Sequence, residues 1–309
     1  MELNRKRYND LDTYYKIKYG KKIIKLPLDG GFTCPNRDGT LSSRGCIYCS
    51  DAGAGEWTYR SVGDIKAQIT YQKKILAKPD REEGYIAYFQ NFTNTYGEVA
   101  RMREMFYAAI NESDIVGLSI ATRADCLPDE VLDLLDELNK ITDLTIELGM
   151  QSVNEGTLEF INRGYSHQEF DNGVQKLCSL GIEMIDHIIV GLVGEDIDDY
   201  LRDISYINYR GIEGIKIHNL YIENNTYLKS YYEKNNITYD MTKDDYANIV
   251  VTMLRHLNPD VVIHRLTGDG ISSNIAYPLW SKNKGAVLST IDKIMKDGNF
   301  IQGDLWKEN

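Results

Sequence analysis

Residues 22–49 read KIIKLPLDGGFTCPNRDGTLSSRGCIYC and decide the fold of this chain. The first seven residues are rich in apolar and β-branched side chains and predict a strand, and the polar, glycine-containing run after it predicts a loop. The loop carries three cysteines, Cys34, Cys46 and Cys49, with eleven residues between the first two and two between the last two. Parallel α/β proteins carry out their chemistry in loops at the carboxyl ends of strands.

Thiolates are the soft ligands that both zinc and iron–sulfur clusters favour. A structural zinc site or an ordinary cubane cluster has four protein ligands, and no fourth cysteine follows this triplet nearby. Three thiolates from one loop therefore leave a metal position open for a substrate or cosubstrate.

This loop resembles the cluster loop of the radical S-adenosylmethionine (radical SAM) superfamily, in a variant with a long first gap. The resemblance implies that the three cysteines hold a 4Fe-4S cluster whose fourth iron binds the amino and carboxylate groups of SAM. It also implies reductive cleavage of SAM to methionine and a 5′-deoxyadenosyl radical that takes a hydrogen atom from a substrate. A one-electron donor of the flavodoxin or ferredoxin type is an expected partner.

The charge distribution bears on the substrate. The 309 residues include 35 basic and 46 acidic side chains, and the net charge of −11 argues against broad, non-specific phosphate binding. Residues 1–25, however, contain eight basic and three acidic side chains, a local charge of +5. This segment is either a basic arm beside the cluster loop that steers a polyanion such as tRNA or, as we favour, an ordinary solvated lysine-rich surface.

The composition points to the cytoplasm and away from membranes. No stretch approaches the roughly 20 apolar residues of a membrane span, and the first residues lack a signal-peptide core. Five cysteines, an odd number thinly spread, do not resemble a disulfide framework. A reducing compartment also suits an oxygen-sensitive cluster.

Six β-rich runs alternate with amphipathic helical patterns and predict an α/β fold with a parallel sheet. By resemblance this is a partial (β/α)6 TIM-like barrel. We expect residues 1–230 to form the radical SAM core and residues 231–309 a small C-terminal extension with a candidate strand at 261–266. The six runs are 22–28, 84–89, 114–121, 143–150, 183–192 and 213–222.

The fourth run places Glu147, Gly149 and Gln151 on one strand face. A carboxylate within a parallel strand costs several kcal/mol unless it is partnered, so Glu147 needs a donor from the protein or a ligand. Arg163 follows Gln151 by twelve residues, an offset that resembles coproporphyrinogen-oxidase-like radical SAM enzymes. The resemblance implies that Gln151 and Arg163 contact the ribose and carboxylate of SAM; otherwise they are a strand-end glutamine and a helix-surface arginine.

Other strand ends supply further candidates. By resemblance, Ile189 and Gly191 pack on adenine and His187 reaches the ribose, although a buried structural histidine is the alternative. Lys216 and His218 share one face of the sixth run, and either is able to pair with Glu147. The end of the second run is where the superfamily binds the SAM amino group, which gives the candidates Gln90, Thr93 and Asn94.

Three features have weaker assignments. Cys126, at the end of the third run, is a reactive thiol, an extra ligand or, as we favour, a structural cysteine. Cys178 is predicted to lie in the core with Phe170 and Val174. The segment HRLTGDG, residues 264–270, either binds substrate or closes the open side of the barrel.

Across almost its whole length the chain resembles the bacterial YhcC-like radical SAM subfamily and the radical SAM core of the Elongator catalytic subunit, a tRNA-modifying protein. This resemblance favours a tRNA or another RNA as the substrate, with a small metabolite as the alternative. The rival from another class is a non-enzymatic zinc module, in which a histidine or Cys126 would be the fourth ligand.

Overall fold

Seven parallel strands form one curved sheet in this computed structural model, which describes residues 6–50, 53, 58, 64–78, 82–268 and 270–308. The strand order is β1-β2-β3-β4-β5-β6-β8, which confirms the partial TIM-like barrel. The strands are β1 Lys22–Leu28, β2 Glu83–Phe89, β3 Ile115–Thr122, β4 Asp143–Gln151, β5 Glu183–Val190, β6 Gly214–Asn219 and β8 Val262–Arg265. A separate antiparallel pair consists of β7 Ile222–Glu223 and β9 Ile275–Tyr277.

The helices follow the strands in the order expected of right-handed β–α–β units. Ser166 and Asp196 begin α6 and α7 with capping boxes, which satisfy backbone N–H groups of the first turn. The helices are α1 Leu11–Tyr19, α2 Ile65–Leu76, α3 Val99–Ile110, α4 Asp129–Asn139, α5 Glu155–Phe160, α6 His167–Ser179, α7 Ile197–Arg210, α8 Tyr227–Lys234, α9 Lys243–His256 and α10 Lys284–Asp297, with a 3₁₀ turn at Leu279–Lys282.

The two faces of each strand point to different environments, one to the helices and one to the interior of the half-barrel. On β4, Ile146 and Leu148 are buried in one apolar cluster with helix residues such as Phe106 and Val174. Because successive side chains alternate, Glu147 between them points to the interior of the half-barrel. The helices thus cover one side of the sheet and leave the polar side for a site.

The C-terminal part of the chain supplies the seventh strand, because β8 pairs with β6 in parallel. The candidate strand at 261–266 is therefore confirmed, while the run 213–222 divides into β6 and β7. The boundary at residue 230 stays a prediction.

Three lysines of the basic N-terminal segment, Lys16, Lys18 and Lys22, lie at the opposite end of the barrel from the cysteines. Helix α1 contacts the edge strands β1 and β8, and Lys18 Nζ lies 2.7 Å from a carboxylate oxygen of Asp143, the first residue of β4. Lys16 pairs with Asp12 at 2.7 Å, and Lys22 pairs with the same carboxylate. The alternative of a basic arm beside the cluster loop is therefore wrong for these lysines, and residues 1–5, with Arg5, lie outside the described residues.

Cys178 is exposed, so its assignment to the core is wrong. The buried stripe of α6 contains Phe170, Gly173, Val174 and Leu177, and Cys178 falls beside this stripe in the last turn. None of the helices in the described part of the chain has the length and apolar character that a membrane crossing requires.

Candidate cofactor and active site

A cavity of about 270 Å³ opens at the carboxyl ends of the strands. The cysteine loop forms one wall, and polar groups from the strand ends form the others. Twelve of the fourteen predicted site residues line it: Cys34, Cys46, Cys49, Gln90, Thr93, Glu147, Gln151, Arg163, His187, Ile189, Lys216 and His218. The structure therefore brings together residues that are up to 184 positions apart in sequence.

The cysteine loop is fixed by backbone hydrogen bonds to two distant segments. Ile47, between the last two cysteines, donates its N–H to the carbonyl of Ile161 at 3.0 Å and accepts from the N–H of Leu228 at 2.9 Å. The side chain of Asn162 donates to the carbonyl of Gly45 at 2.7 Å. Gly45 has φ +72°, a left-handed conformation that favours glycine.

The three thiols are free and two of their sulfurs accept N–H donors. The Asn36 amide lies 3.6 Å from Cys46 Sγ, and the Arg37 guanidinium lies 3.5 Å from Cys49 Sγ. Burial and the neighbouring Cys46 thiol raise the pKa of Cys49 to about 12, so this pocket stabilises a thiolate only when positive charge is added.

This donor set fits an iron–sulfur cluster, for which thiolates are the usual ligands. N–H donors to sulfur, such as those of Asn36 and Arg37, are the groups that tune such a cluster. Cys34, Cys46 and Cys49 would hold the cluster.

Arg163 is buried and incompletely satisfied. Its side chain is only 1% exposed, which excludes the helix-surface alternative. Nη1 donates to the carbonyl of Met150 at 2.8 Å and Nε to that of Tyr165 at 3.1 Å, while Nη2 has no partner among the described residues. Arg163 lines the cavity, and a guanidinium in such a position is suited to a carboxylate ligand.

Glu147 is the centre of a buried polar network. Its carboxylate accepts from Lys25 at 2.7 Å, from Ser119 at 2.8 Å, from Lys216, and bonds His187 Nε2 at 2.8 Å. The predicted need for donors is thus met by the protein. Burial opposes ionisation, but Lys216 and Lys25 outweigh it and hold the pKa of Glu147 well below its usual range.

The same network lowers the pKa of its basic members. Burial and the positive charges of Lys25 and Arg265 lower the pKa of Lys216 to about 7, although the carboxylate of Glu147 acts in the opposite direction. Burial and Lys216 lower the pKa of His187 to about 4, so this imidazole is neutral near pH 7. A lysine poised near neutral pH is able to accept or donate a proton.

Two predicted residues lie outside the cavity lining. The Asn94 side chain donates to three carbonyls, those of Phe89, Asn91 and Ala121, and so fixes the turn after β2. Gly191 has φ +103° and donates its N–H to the Tyr200 hydroxyl at 3.0 Å. Both residues shape the backbone near the site.

Several residues that line the cavity were not predicted from the sequence. Arg123 makes a bidentate ion pair with Asp125 at 2.8–2.9 Å and donates to the carbonyl of Arg163 at 2.8 Å. The ring of Tyr165 lies 4.5 Å from the Arg123 guanidinium and 4.1 Å from that of Arg163. An arginine directly after a strand, as in TRAD at residues 122–125, is the signal that would have indicated Arg123.

Of the weaker candidates, Cys126 lies outside the cavity, whereas Arg265 of the segment 264–270 lines it. Cys126 is buried beside a neighbouring open groove of about 1000 Å³, and burial raises its pKa to about 12, as for a structural thiol. In the segment 264–270, Thr267 and Gly268 hydrogen-bond Asn219 at the end of β6, at 3.1 and 2.8 Å. These bonds hold the segment against the sheet; Asp269 lies outside the described residues.

A parallel half-barrel with three thiols in the loop after its first strand, and polar groups at its other strand ends, defines a cofactor-dependent enzyme class. The sequence profile of the Radical SAM superfamily matches residues 39–207, and that of the Radical_SAM C-terminal domain matches residues 212–297. The chain belongs to the radical SAM superfamily, which implies an enzyme that uses SAM and an iron–sulfur cluster.

Curated relatives extend over nearly the whole chain. YtqA of Bacillus subtilis (strain 168) is 40% identical over 302 residues, covering 98% of this chain and 94% of YtqA. YhcC of Escherichia coli (strain K12) is 34% identical over 289 residues, covering 93% of this chain and 91% of YhcC. The expected YhcC-like relationship is confirmed.

Solved structures share the fold. The archaeal Methanocaldococcus infernus Elp3 with an N-terminal deletion superimposes with a TM-score of 0.63 at 17% identity, covering 91% of this chain. This chain spans 64% of that protein's length. The structure described as native anSMEcpe with bound AdoMet and Kp18Cys peptide superimposes with a TM-score of 0.50 at 11% identity. The match covers 75% of this chain and 59% of the anSMEcpe chain.

Proposed function

We propose that the chain is a radical SAM enzyme that holds a 4Fe-4S cluster through Cys34, Cys46 and Cys49. When bound, the cluster supplies the electron that cleaves SAM to methionine and a 5′-deoxyadenosyl radical. The observation that carries this proposal is that three free thiols and the buried Arg163 line one cavity.

We assign the wall residues two roles. Arg163 would pair with the SAM carboxylate, while Gln90, Thr93 and Gln151 would bind its polar groups, and Ile189 offers an apolar surface to adenine. The residues of the Glu147 network and its neighbour would meet the ribose and the substrate: Glu147, His187, Lys216 and His218. Asn94 and Gly191 would act through the backbone that they position.

An RNA, with tRNA first, is the proposed substrate, because the fold and the sequence resemble those of the Elongator core. A flavodoxin- or ferredoxin-type protein would deliver the electron, and we place the reaction in the cytoplasm. A small metabolite processed by the same chemistry is the second candidate, favoured by the net charge of −11.

Substrate fractions separate the two candidates. Total tRNA from cells lacking this gene is incubated with the anaerobically reconstituted protein, SAM and dithionite, and a parallel reaction receives the small-molecule fraction of the same cells. We expect the tRNA to stimulate formation of 5′-deoxyadenosine and to show one nucleoside of altered mass. Stimulation by the small-molecule fraction alone would favour the metabolite, and one zinc per chain without iron or sulfide would favour the zinc module.

A further inference from the structure

The proposed RNA substrate, on which this inference rests, has to present its reacting group at the mouth of the cavity. Lys16, Lys18 and Lys22 of the N-terminal segment are too far away to hold it there. Strand β4 has 9 residues, which at about 3.3 Å per residue place Asp143 and its partner Lys18 about 26 Å from the strand's carboxyl end. Lys16 and Lys22 both pair with Asp12 of α1 at the same end of the barrel. Other groups must therefore contact RNA beside the mouth.

A different surface lies beside the mouth, and we call it the rim: Arg44, Tyr227, Lys229 and Tyr277. Arg44 belongs to the cysteine loop, two positions before Cys46. Tyr227 is the first residue of α8, and the next residue bonds the cysteine loop through the carbonyl of Ile47 at 2.9 Å. Tyr277 lies on β9, which pairs with β7 directly after the cavity-lining residues that follow β6.

The rim presents aromatic rings with cations next to them. Tyr227 is 54% exposed and Tyr277 is 42% exposed. The Arg44 guanidinium lies 5.9 Å from the ring centroid of Tyr227. Lys229, two positions after Tyr227 on α8, pairs with Glu233 at 2.6 Å on the surface, where such pairs are weak and exchange readily. An exposed ring offers a flat apolar face on which a base is able to stack.

We infer that the rim binds single-stranded RNA, with bases stacking on Tyr227 and Tyr277 and phosphates contacting Arg44 and Lys229. Aromatic platforms with flanking cations are the groups that bind unpaired nucleotides. The net charge of −11 fits this mode, because stacking needs few phosphate contacts. A splayed base anchored at the rim would lie next to the cavity entrance.

Fluorescence anisotropy with a fluorescein-labelled 12-nucleotide oligouridylate tests the rim on the anaerobically reconstituted protein. Two phosphate contacts predict a slope of log affinity against log salt of about −1.4, since each single-strand contact contributes about 0.7. We expect Arg44→Ala to reduce the slope by about 0.7, and Tyr227→Ala to weaken binding about tenfold or more. Tyr227→Phe keeps the ring and should bind like the wild type. Unchanged circular dichroism and iron content confirm that the variants are folded.

The matched control changes Lys16, Lys18 and Lys22 to Ala at the other end of the barrel, and we expect its affinity to equal that of the wild type. If the control loses binding and the rim variants do not, RNA is bound elsewhere and the rim inference is wrong, although the RNA substrate survives. A wild-type protein that binds neither the oligonucleotide nor total tRNA would remove the RNA substrate itself. Loss of flavodoxin-driven cluster reduction in Arg44→Ala with unchanged RNA binding would assign the rim to the electron donor instead.

Discussion

Lys216 donates a hydrogen bond to Glu147 inside the half-barrel, although the two residues are 69 positions apart in sequence. They lie on β6 and β4, and His187 of β5, between those strands, bonds the same carboxylate. Lys25 of β1 completes the network from the other side. Four strands thus hold one buried carboxylate on the floor of the proposed cofactor cavity.

Neutralising this carboxylate should destabilise the fold strongly. Glu147→Gln keeps the side chain's shape but leaves Lys25 and Lys216 buried without a counter-charge, which costs about 3–5 kcal/mol. Urea denaturation measures the loss. The control is Lys16→Ala, which removes an exposed pair with Asp12 and should cost less than about 1 kcal/mol. Equal losses in the two variants would mean that the network contributes no more than a surface pair.

The depressed pKa of Lys216 predicts a rise in stability with pH. The folded chain releases this proton near pH 7, whereas an unfolded lysine keeps it up to about 10.5. Between these values the unfolded state binds more protons, so the free energy of unfolding increases by up to about 1.4 kcal/mol per pH unit. We expect the wild type to gain this stability relative to Lys216→Met between pH 7.5 and 9. Parallel curves for the two proteins would show that Lys216 titrates normally.

The raised pKa of Asp186 predicts that stability falls as pH rises. Burial raises its pKa to about 8, so the folded chain keeps a proton that the unfolded chain has lost, and stability falls as pH rises from about 4 to 8. Asp186→Asn preserves the acceptor for the Met150 N–H at 3.2 Å and removes the titration. The free energy of unfolding of the variant, relative to that of the wild type, should increase by up to about 1.4 kcal/mol per pH unit between pH 5 and 7.5. A constant difference across this range would contradict the assignment.

The N–H donors around the cysteines should tune the cluster. Hydrogen bonds to cluster sulfurs raise the reduction potential, and the Arg37 guanidinium lies 3.5 Å from Cys49 Sγ. We expect Arg37→Met to lower the midpoint potential by on the order of tens of millivolts in an EPR-monitored titration. Arg44→Met, in the same loop but facing Tyr227, is the control and should leave the potential unchanged. Identical potentials in all three proteins would remove Arg37 from this role.

Local sequence patterns were sufficient for most of the fold. Apolar runs located each strand of the seven-stranded sheet, although not β9, and the three cysteines located the site, because both signals lie in contiguous residues. The burial cost of a carboxylate in a parallel strand also indicated that Glu147 needs donors, and Lys216 was one of the two candidates.

Two ion pairs between residues far apart in sequence could not be predicted. Lys25 reaches Glu147 across 122 positions, and Lys18 reaches Asp143 from α1. Both contacts depend on how the barrel closes, and through them and two pairs with Asp12 four lysines of the N-terminal segment are paired with carboxylates. The prediction that Cys178 lies in the core was wrong for a local reason. A residue at the edge of a helical stripe is buried only if a neighbouring element covers it.

Formation of 5′-deoxyadenosine from SAM tests the central claim most directly. The anaerobically reconstituted protein is incubated with SAM and dithionite, alongside a variant with Cys34, Cys46 and Cys49 all changed to Ala, and the product is measured by mass spectrometry. Cys126→Ala, a buried thiol outside the cavity, is the control. We predict product from the wild type and the control and none from the triple variant. A wild type with a full cluster and bound SAM that yields no product, even with total tRNA or the small-molecule fraction added, would contradict the radical mechanism.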